Sequence, residues 1–180
     1  MAHVHFERKN HTMKPLNPLP IRTRYQSPLG PMTLAASDRG LCGAWFDGQK
    51  HQPDPQAWPH DAAHPVLLRA QAQLAEYFGG QRRVFELPLD LAAGTNFQQA
   101  VWRALLQIAP GATTAYGELA RRIGKPQAVR ALGSAVGRNP ISIIVPCHRV
   151  VGAGGALTGY AGGLDRKTAL LRLDHLESTV

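Results

Sequence analysis

The chain has 180 residues, of which 44% are hydrophobic and 18% are charged, so it can bury a core and is not disordered by composition. No apolar run approaches the roughly 20 residues that a bilayer-spanning helix needs, so we expect no membrane partner. The net charge is +8, and from Thr95 onward ten Lys/Arg oppose four Asp/Glu, a net of +6. A basic half indicates an anionic partner, nucleic acid first, although solubility alone would also account for it.

The chain begins with a polar stretch, residues 1–20, that predicts a flexible tail and contains no apolar segment of a secretory signal. The lack of a signal and the presence of only two cysteines favour a reducing cytoplasm. No cysteine or histidine group has zinc spacing, so we expect no metal. His3, His5 and His11 could hold a metal loosely, but a solvated tail also accounts for them.

Residues 21–91 predict a small α+β domain. The runs IRTRYQS, MTLAAS and LCGAWFD are separated by turn signals and predict antiparallel hairpins. The run HPVLLRAQAQLAEYFGG predicts a helix that begins near Pro65 and stops at Gly79, with one apolar face. The run RVFELPLDL predicts a further strand, and Pro88 places it at a sheet edge.

Residues 94–177 predict a second, mostly helical domain. Thr95 and Gln98 form a capping box for the helix TNFQQAVWRALLQI. The short helix AYGELARRIG ends at Gly124, and Pro126 starts the next helix, PQAVRALGSAVGR. Two short helices joined by a tight turn are typical of a helix-turn-helix, although an ordinary αα-hairpin has the same pattern.

The second helix of this pair is rich in alanine, glycine and serine. Small side chains let its backbone approach another surface closely, either a helix or a narrow groove of DNA. Neighbouring basic residues would contact phosphates, and no array of long polar side chains is present to read bases in a major groove. We therefore expect sequence-tolerant binding in the minor groove. The basic residues are Arg121, Arg122, Lys125, Arg130 and Arg138.

The two cysteines lie in different settings. Cys42 belongs to the predicted strand LCGAW and is expected to be a core residue. Cys147 follows the strand-like run ISIIV and Pro146, and His148 comes next. Neighbours along a strand point to opposite faces, so a water or a turn would have to connect the thiol with the imidazole. Residue types alone leave Cys147 open as either a core residue or a nucleophile.

The segment PCHRV resembles the active-site signature of the O6-alkylguanine-DNA alkyltransferases, and the likeness runs from Gly94 to Lys167. The segment SPLGPMTLAASDRGLCGAWFDGQ is similar to the N-terminal domain of bacterial members. The resemblance implies an α+β fold: a ribonuclease H-like antiparallel-sheet domain, then a winged-helix-like domain with a helix-turn-helix. It also implies irreversible, single-turnover transfer of the alkyl group from O6-alkylguanine, or O4-alkylthymine, in duplex DNA to the cysteine. No cofactor is implied.

The resemblance assigns catalytic roles to individual residues. Cys147 would accept the alkyl group, and His148 would remove the thiol proton through a water. Asp174 stands where the family commonly has Glu and would orient the histidine, with Glu177 as the alternative. Asn139 would tie the recognition helix to the active-site segment.

The resemblance also implies a DNA-binding surface and a substrate pocket. Arg130 would enter the base stack and hold the gap left by a flipped nucleotide, and Tyr116 would donate a proton to the guanine ring. Backbone groups at Cys147, Val150, Tyr160 and Ala161 would bind the guanine, and Val136 and Tyr160 would form walls. The predicted DNA-binding residues are Arg130, Tyr116, Gly117, Lys125, Ala128, Ala131, Ala135 and Ala153.

Two other functions fit parts of the sequence. One is a non-catalytic relative that senses alkylated DNA, but such relatives lack the acceptor cysteine that Cys147 supplies. The other is a cysteine hydrolase, for which no oxyanion or specificity motif is evident. We expect a monomer whose partner is duplex DNA carrying O6-alkylguanine, with cooperative binding left open.

Overall fold

The computed structural model describes residues 18–176, and its first half is built on a three-stranded antiparallel sheet. The strands are β1 (Ile21–Ser27), β2 (Gly30–Ser37) and β3 (Gly40–Phe46), in that order across the sheet. The predicted hairpins are therefore confirmed. Gly40 has a φ of 147°, and a side chain there would collide with the carbonyl of Pro88, so the second turn requires glycine.

Helix α1 (Pro65–Phe78) packs against this sheet as predicted. Pro65 occupies its first turn, and Gly79 ends it by donating its N–H to the carbonyl of Ala75 at 3.0 Å. Leu67 and Leu74 are fully buried. The buried face also includes Gln73 and Tyr77, which the apolar pattern did not predict.

The strand predicted over RVFELPLDL is wrong. The segment makes a single bridge, between Leu89 and Leu41. Its backbone is satisfied by a side chain instead, because Gln73 Nε2 donates to the Glu86 carbonyl at 3.0 Å and the Glu86 N–H donates to Gln73 Oε1 at 2.8 Å. Pro88 has no N–H to donate, and pairing with β3 is limited to the two hydrogen bonds that join Leu41 to the Pro88 carbonyl and the Asp90 N–H, each 2.8 Å.

The second half of the chain is mostly helical. Its elements are α2 (Asn96–Leu105), β4 (Thr114–Ala115), α3 (Tyr116–Arg122), α4 (Val129–Gly137), β5 (Val150–Val151) and α5 (Leu164–His175). The capping box is confirmed, with the Gln98 N–H donating to Thr95 Oγ1 at 3.1 Å and the Thr95 N–H donating to Gln98 Oε1 at 3.0 Å. The α3–α4 pair forms the helix-turn-helix, and β4 and β5 form a parallel pair that joins it to the segment after Cys147.

Helix α4 begins at Val129, which corrects the predicted start at Pro126. Pro126 and Gln127 form a turn closed by the Ala128 N–H, which donates to the Lys125 carbonyl at 2.9 Å. Residues 126–128, which the sequence predicted as the first turn of the helix, therefore belong to the connection between α3 and α4.

The strand-like run before Cys147 is a turn rather than a strand. Ile141 makes one bridge to Ala44, and the chain then turns through Ile143, whose φ of 73° is unusual for a branched residue. Cys147 opens a 3₁₀ turn, Cys147–Arg149. His148 therefore follows Cys147 in a 3₁₀ turn and not along a strand, so the two side chains need not point to opposite faces.

One hydrophobic cluster runs through both halves of the chain. It joins Phe46 of the sheet and Leu74 of α1 to Trp102 of α2 and Leu132 of α4. The boundaries 21–91 and 94–177 stay predictions, and most of the tail 1–20 and Glu177 lie outside the described residues. Within the described chain, no helix has the length and apolar character to cross a membrane.

Candidate active site

Cys147 lies at the start of the 3₁₀ turn, against a pocket of about 230 Å³. Its side chain is 6% exposed. Burial raises the pKa of the thiol to about 11, although the hydrogen bond from Asn139 and the charge of Lys167 act to lower it. The thiol is therefore protonated near neutral pH and needs a base before it can act as a nucleophile.

His148 is fully buried beside Asp174, and its Nε2 lies 2.9 Å from Asp174 Oδ2. Burial lowers the pKa of His148, and the Asp174 carboxylate only partly offsets that effect. The neutral ring therefore donates its Nε2–H to the carboxylate. Nδ1 is buried and has no hydrogen-bond partner among the described residues, so it is the nitrogen left to accept a proton.

Asp174 accepts four hydrogen bonds. Burial alone would raise its pKa, but the hydrogen bonds from His148 and Arg149 outweigh burial and hold the pKa well below the usual range. Arg149 Nε donates to Oδ2 at 2.7 Å, and Arg149 Nη2 donates to Oδ1 at 3.0 Å. Tyr77 Oη also donates to Oδ1, at 3.0 Å. Asp174 is thus ionised and reaches His148 in spite of the shorter side chain.

Asn139 holds the turn that leads to Cys147. Its Nδ2 donates to the Val145 carbonyl at 2.7 Å, and the Ile141 N–H donates to its Oδ1 at 3.0 Å. The amide therefore pins both ends of the turn from the C-terminal side of α4.

Lys167 is fully buried and holds the glycine-rich segment beyond β5. Its ammonium donates to the carbonyls of Val150 at 2.6 Å, Thr158 at 2.9 Å and Gly159 at 3.1 Å. Burial lowers the pKa of Lys167, whereas Cys147 acts to raise it.

The pocket contains most of the predicted substrate-binding residues. Burial raises the pKa of Tyr116, so its hydroxyl keeps its proton. Tyr160 Oη is buried and has no hydrogen-bond partner within the described part of the chain. Val150 does not line the pocket, and its carbonyl already accepts from Lys167. The lining comprises the predicted Tyr116, Val136, Cys147, Tyr160 and Ala161, together with Lys50, His51, Gly133, Ser134, Gly137 and Gly159.

The predicted DNA-binding residues lie on α3, on the turn between α3 and α4, on α4 and in the loop after β5. Arg130, Lys125, Ala131 and Ala153 are exposed, and Tyr116, Gly117 and Ala128 are half-buried. The prediction that Ala135 contacts DNA is corrected by its burial. Ala135 is 2% exposed, and its carbonyl accepts from Trp102 Nε1 at 2.8 Å, so it belongs to the face of α4 that packs on α2.

Sequence reasoning missed four contributors to the site. Arg149 follows His148 directly, so its position in PCHRV was a usable signal. Tyr77 and the Lys50–His51 turn come from the first half of the chain, and no local pattern pointed to them. Lys167 gave no signal in the sequence, because lysines are rarely buried. In the part of the chain that the structure describes, no group of three or more His, Cys, Asp or Glu side chains is arranged to hold a metal ion.

Comparison with known proteins matches both halves of the chain. Residues 21–91 match the family model of the 6-O-methylguanine DNA methyltransferase ribonuclease-like domain, and residues 96–176 match the model of its DNA binding domain. The methylated-DNA–protein-cysteine methyltransferase of Mycobacterium tuberculosis is 50% identical over 148 residues, covering 82% of this chain and 88% of that protein. The protein of the same name from Methanosarcina acetivorans is 47% identical, covering 83% and 95%. The crystal structure of Mycobacterium tuberculosis OGT in complex with DNA aligns with a TM-score of 0.79 at 47% identity, covering 86% of this chain and 92% of that chain.

Proposed function

The chain belongs to the 6-O-methylguanine DNA methyltransferase family, and from that premise we propose that it repairs DNA by moving the alkyl group of O6-alkylguanine directly onto Cys147. One observation carries the proposal: a buried thiol faces a pocket, and the turn that presents it also presents His148, hydrogen-bonded to ionised Asp174. A thiol, a base and a group that orients the base are what nucleophilic transfer to sulfur requires.

Activation of the thiol falls to His148. With a pKa of about 11 for Cys147, only about one molecule in ten thousand carries a thiolate at pH 7. His148 Nδ1 accepts the proton through a water, because Nε2 is committed to Asp174. Asp174 holds the reactive tautomer and stabilises the imidazolium that forms.

The transfer step then balances without any further reactant. The sulfur of Cys147 attacks the alkyl carbon in line and forms a C–S bond, while the C–O6 bond breaks and its electron pair goes to the guanine. Tyr116 donates the proton that disperses this charge, because its raised pKa keeps the hydroxyl protonated until the charge forms. The phenolate left on Tyr116 then recovers a proton equivalent to the one that His148 took from the thiol, so protons balance. The product is a thioether with no route back to the thiol, so each molecule acts once.

Base extrusion brings the alkyl group to the thiol. An alkyl group on O6 lies inside the duplex, and the pocket beside Cys147 admits it only when the nucleotide is flipped. Exposed Arg130 and Lys125 on the helix-turn-helix suit contacts with the gap in the stack and with phosphates. The monomeric state and the cytoplasmic location stay predictions.

Intact-protein mass spectrometry tests this function. After mixing with duplex that contains O6-methylguanine, the wild type should gain the mass of one methylene group, and peptide mapping should place it on Cys147. A Cys147→Ser variant should gain none. Cys42→Ser is the matched control, because Cys42 is buried in β3, and it should react like the wild type.

Two outcomes would point elsewhere. Tight binding of alkylated duplex with no mass gain would indicate a damage sensor. Repeated turnover by one protein molecule would indicate a hydrolase.

A further inference from the structure

Tyr77 connects the first half of the chain to the carboxylate behind the active site. Its hydroxyl donates to Asp174 Oδ1 at 3.0 Å, and its ring is held edge-on to Phe78 and tilted against Phe85. The side chain is 3% exposed. A buried hydroxyl so placed has one hydrogen to donate, and the carboxylate is the nearest acceptor, since the Leu170 carbonyl lies at 3.5 Å.

The other side-chain donors to Asp174 share a different origin. His148 and Arg149 both belong to the 3₁₀ turn that also presents Cys147, and Arg149 Nη1 donates in addition to the Ile108 carbonyl at 2.8 Å. Among the described residues, Tyr77 is the one side-chain donor to the carboxylate from a separate element. A contact from a separate element fixes the carboxylate relative to the rest of the protein rather than relative to the turn alone.

The segment after α1 holds the backbone at the same place. Arg83 Nη2 donates to the Asp174 carbonyl at 2.9 Å and to the Leu176 carbonyl. The end of α5 is therefore held through its main chain by Arg83 and through the Asp174 side chain by Tyr77. This is a second, independent contact from the first half of the chain to the residue that orients His148.

We infer that Tyr77 is a positioning residue for alkyl transfer: its hydroxyl fixes the rotamer of Asp174 so that Oδ2 stays on His148 Nε2. This inference rests on the proposed function. It gives the first half of the chain a part in the chemistry, since α1 supplies the group that holds the orienting carboxylate. Burial and the neighbouring carboxylate raise the pKa of Tyr77 far above its usual value, so the hydroxyl is protonated and can donate near neutral pH.

The first test is the rate of alkyl transfer by Tyr77→Phe. This change removes the hydroxyl and keeps the ring in its packing. We expect the single-turnover rate constant with O6-methylguanine duplex to fall about 10-fold, as is usual when a group that orients a reactive side chain is lost. Tyr25→Phe in β1 is the matched control, because it also removes a tyrosine hydroxyl from the first half, and it should keep the wild-type rate.

A double-mutant cycle separates positioning from folding. In an Asp174→Asn background, Tyr77→Phe should change the rate by less than about 2-fold, because the hydroxyl acts through the carboxylate. A loss of equal size in both backgrounds would overturn the inference, since it would place the effect on the fold.

Proton NMR gives a readout that does not depend on DNA. The His148 Nε2 proton should resonate downfield and exchange slowly in the wild type and in Tyr25→Phe. In Tyr77→Phe it should shift upfield and exchange faster. A wild-type rate and an unchanged resonance in Tyr77→Phe would sink the inference and leave the proposed function standing. Absence of transfer by the wild type itself would instead refute the proposed function.

Discussion

His148 and Asp174 are buried side by side. The folded protein favours a neutral imidazole for His148 and an ionised carboxylate for Asp174, which are the states of both groups near neutral pH. The folded pKa of His148 lies below the value of about 6.5 that it has in the unfolded chain, so its neutral form is the one that folding prefers. The folded pKa of Asp174 lies below its unfolded value, so folding prefers the carboxylate. As the pH drops below each unfolded pKa, the unfolded chain binds more protons than the native protein. The free energy of unfolding therefore decreases as the pH decreases.

We therefore expect stability to be lost in two stages on acidification. The free energy of unfolding should begin to fall below about pH 6.5, as the unfolded His148 binds a proton, and should fall further below about pH 4, as the unfolded Asp174 does. Urea unfolding at a series of pH values from 8 to 3 measures both stages.

Two histidine variants isolate the first stage. His148→Gln should flatten the dependence between about pH 6.5 and 5. His51→Gln should leave most of it, because His51 is exposed. Equal slopes in the wild type and His148→Gln would contradict the assignment.

The short helix α4 has one face that packs inside the protein and one face that is exposed to solvent. Ala135 and Leu132 pack inward on α2, whereas Arg130 and Ala131 face solvent. The small residues of α4 thus serve both close packing inside the protein and close approach outside it. Only the outer ones are available to DNA.

Arg130→Ala should distinguish the work of extruding the base from the chemistry itself. We expect affinity for damaged duplex and the transfer rate to fall at least about 10-fold, because the side chain that we propose fills the gap in the stack is lost. Reaction with the free alkylguanine base should change much less. Arg103→Ala on α2 is a control of the same charge and should affect neither. Parallel losses on duplex and free base would count against this role.

Elements with a strong local pattern were predictable from the sequence, and contacts between distant segments were not. The three strands, the α1 stop at Gly79 and the capping box of Thr95 follow from alternation and end signals, and the structure confirms them. The segment at Glu86 looked like a strand, because the sequence could not show that Gln73 occupies its backbone groups. Burial of Ala135 was hidden for the same reason, since it depends on Trp102, 33 residues away.

The site divides in the same way. Cys147, His148 and Arg149 are adjacent in the sequence, so one short family motif identifies all three. Asp174 lies in α5 and is identified by its place in the aligned family sequence. Tyr77 lies 97 residues before Asp174, and nothing in its own neighbourhood distinguishes it from a core tyrosine. The two meet only in the folded chain, where the end of α1 and the end of α5 are joined by this hydrogen bond.

At the scale of the whole molecule, one large hydrophobic cluster joins what the family models divide at residues 91 and 96. Phe46 and Leu74 share this cluster with Trp102 and Leu132, so each half buries much of its apolar surface against the other. Arg166 of α5 also connects the two halves of the chain. It stacks 4.5 Å from the centre of the Phe46 ring and donates to the Leu29 carbonyl at 3.0 Å.

We expect the two halves to unfold together in one transition. The fluorescence of a Trp102→Phe variant reports on Trp45 and Trp58 of the first half, whereas circular dichroism at helical wavelengths reports mainly on the second half. In that variant the two probes should give the same urea midpoint. Midpoints that differ beyond the fitting error would show that the halves are separate folding units.

The three hydrogen bonds of Lys167 bear on how tightly the protein can hold a damaged base. The rim beyond β5 contains Gly152, Gly154, Gly155 and Gly159, and a free segment of this kind would sample many conformations. Ordering it on contact with a ligand would cost about 1–2 kcal/mol of conformational entropy per residue. Lys167 fixes the carbonyls of Thr158 and Gly159. Part of this conformational entropy is therefore already lost when the protein folds, before any ligand binds. A ligand that binds at this rim therefore meets a segment whose backbone is already partly ordered, and less of its binding free energy is lost to ordering the protein.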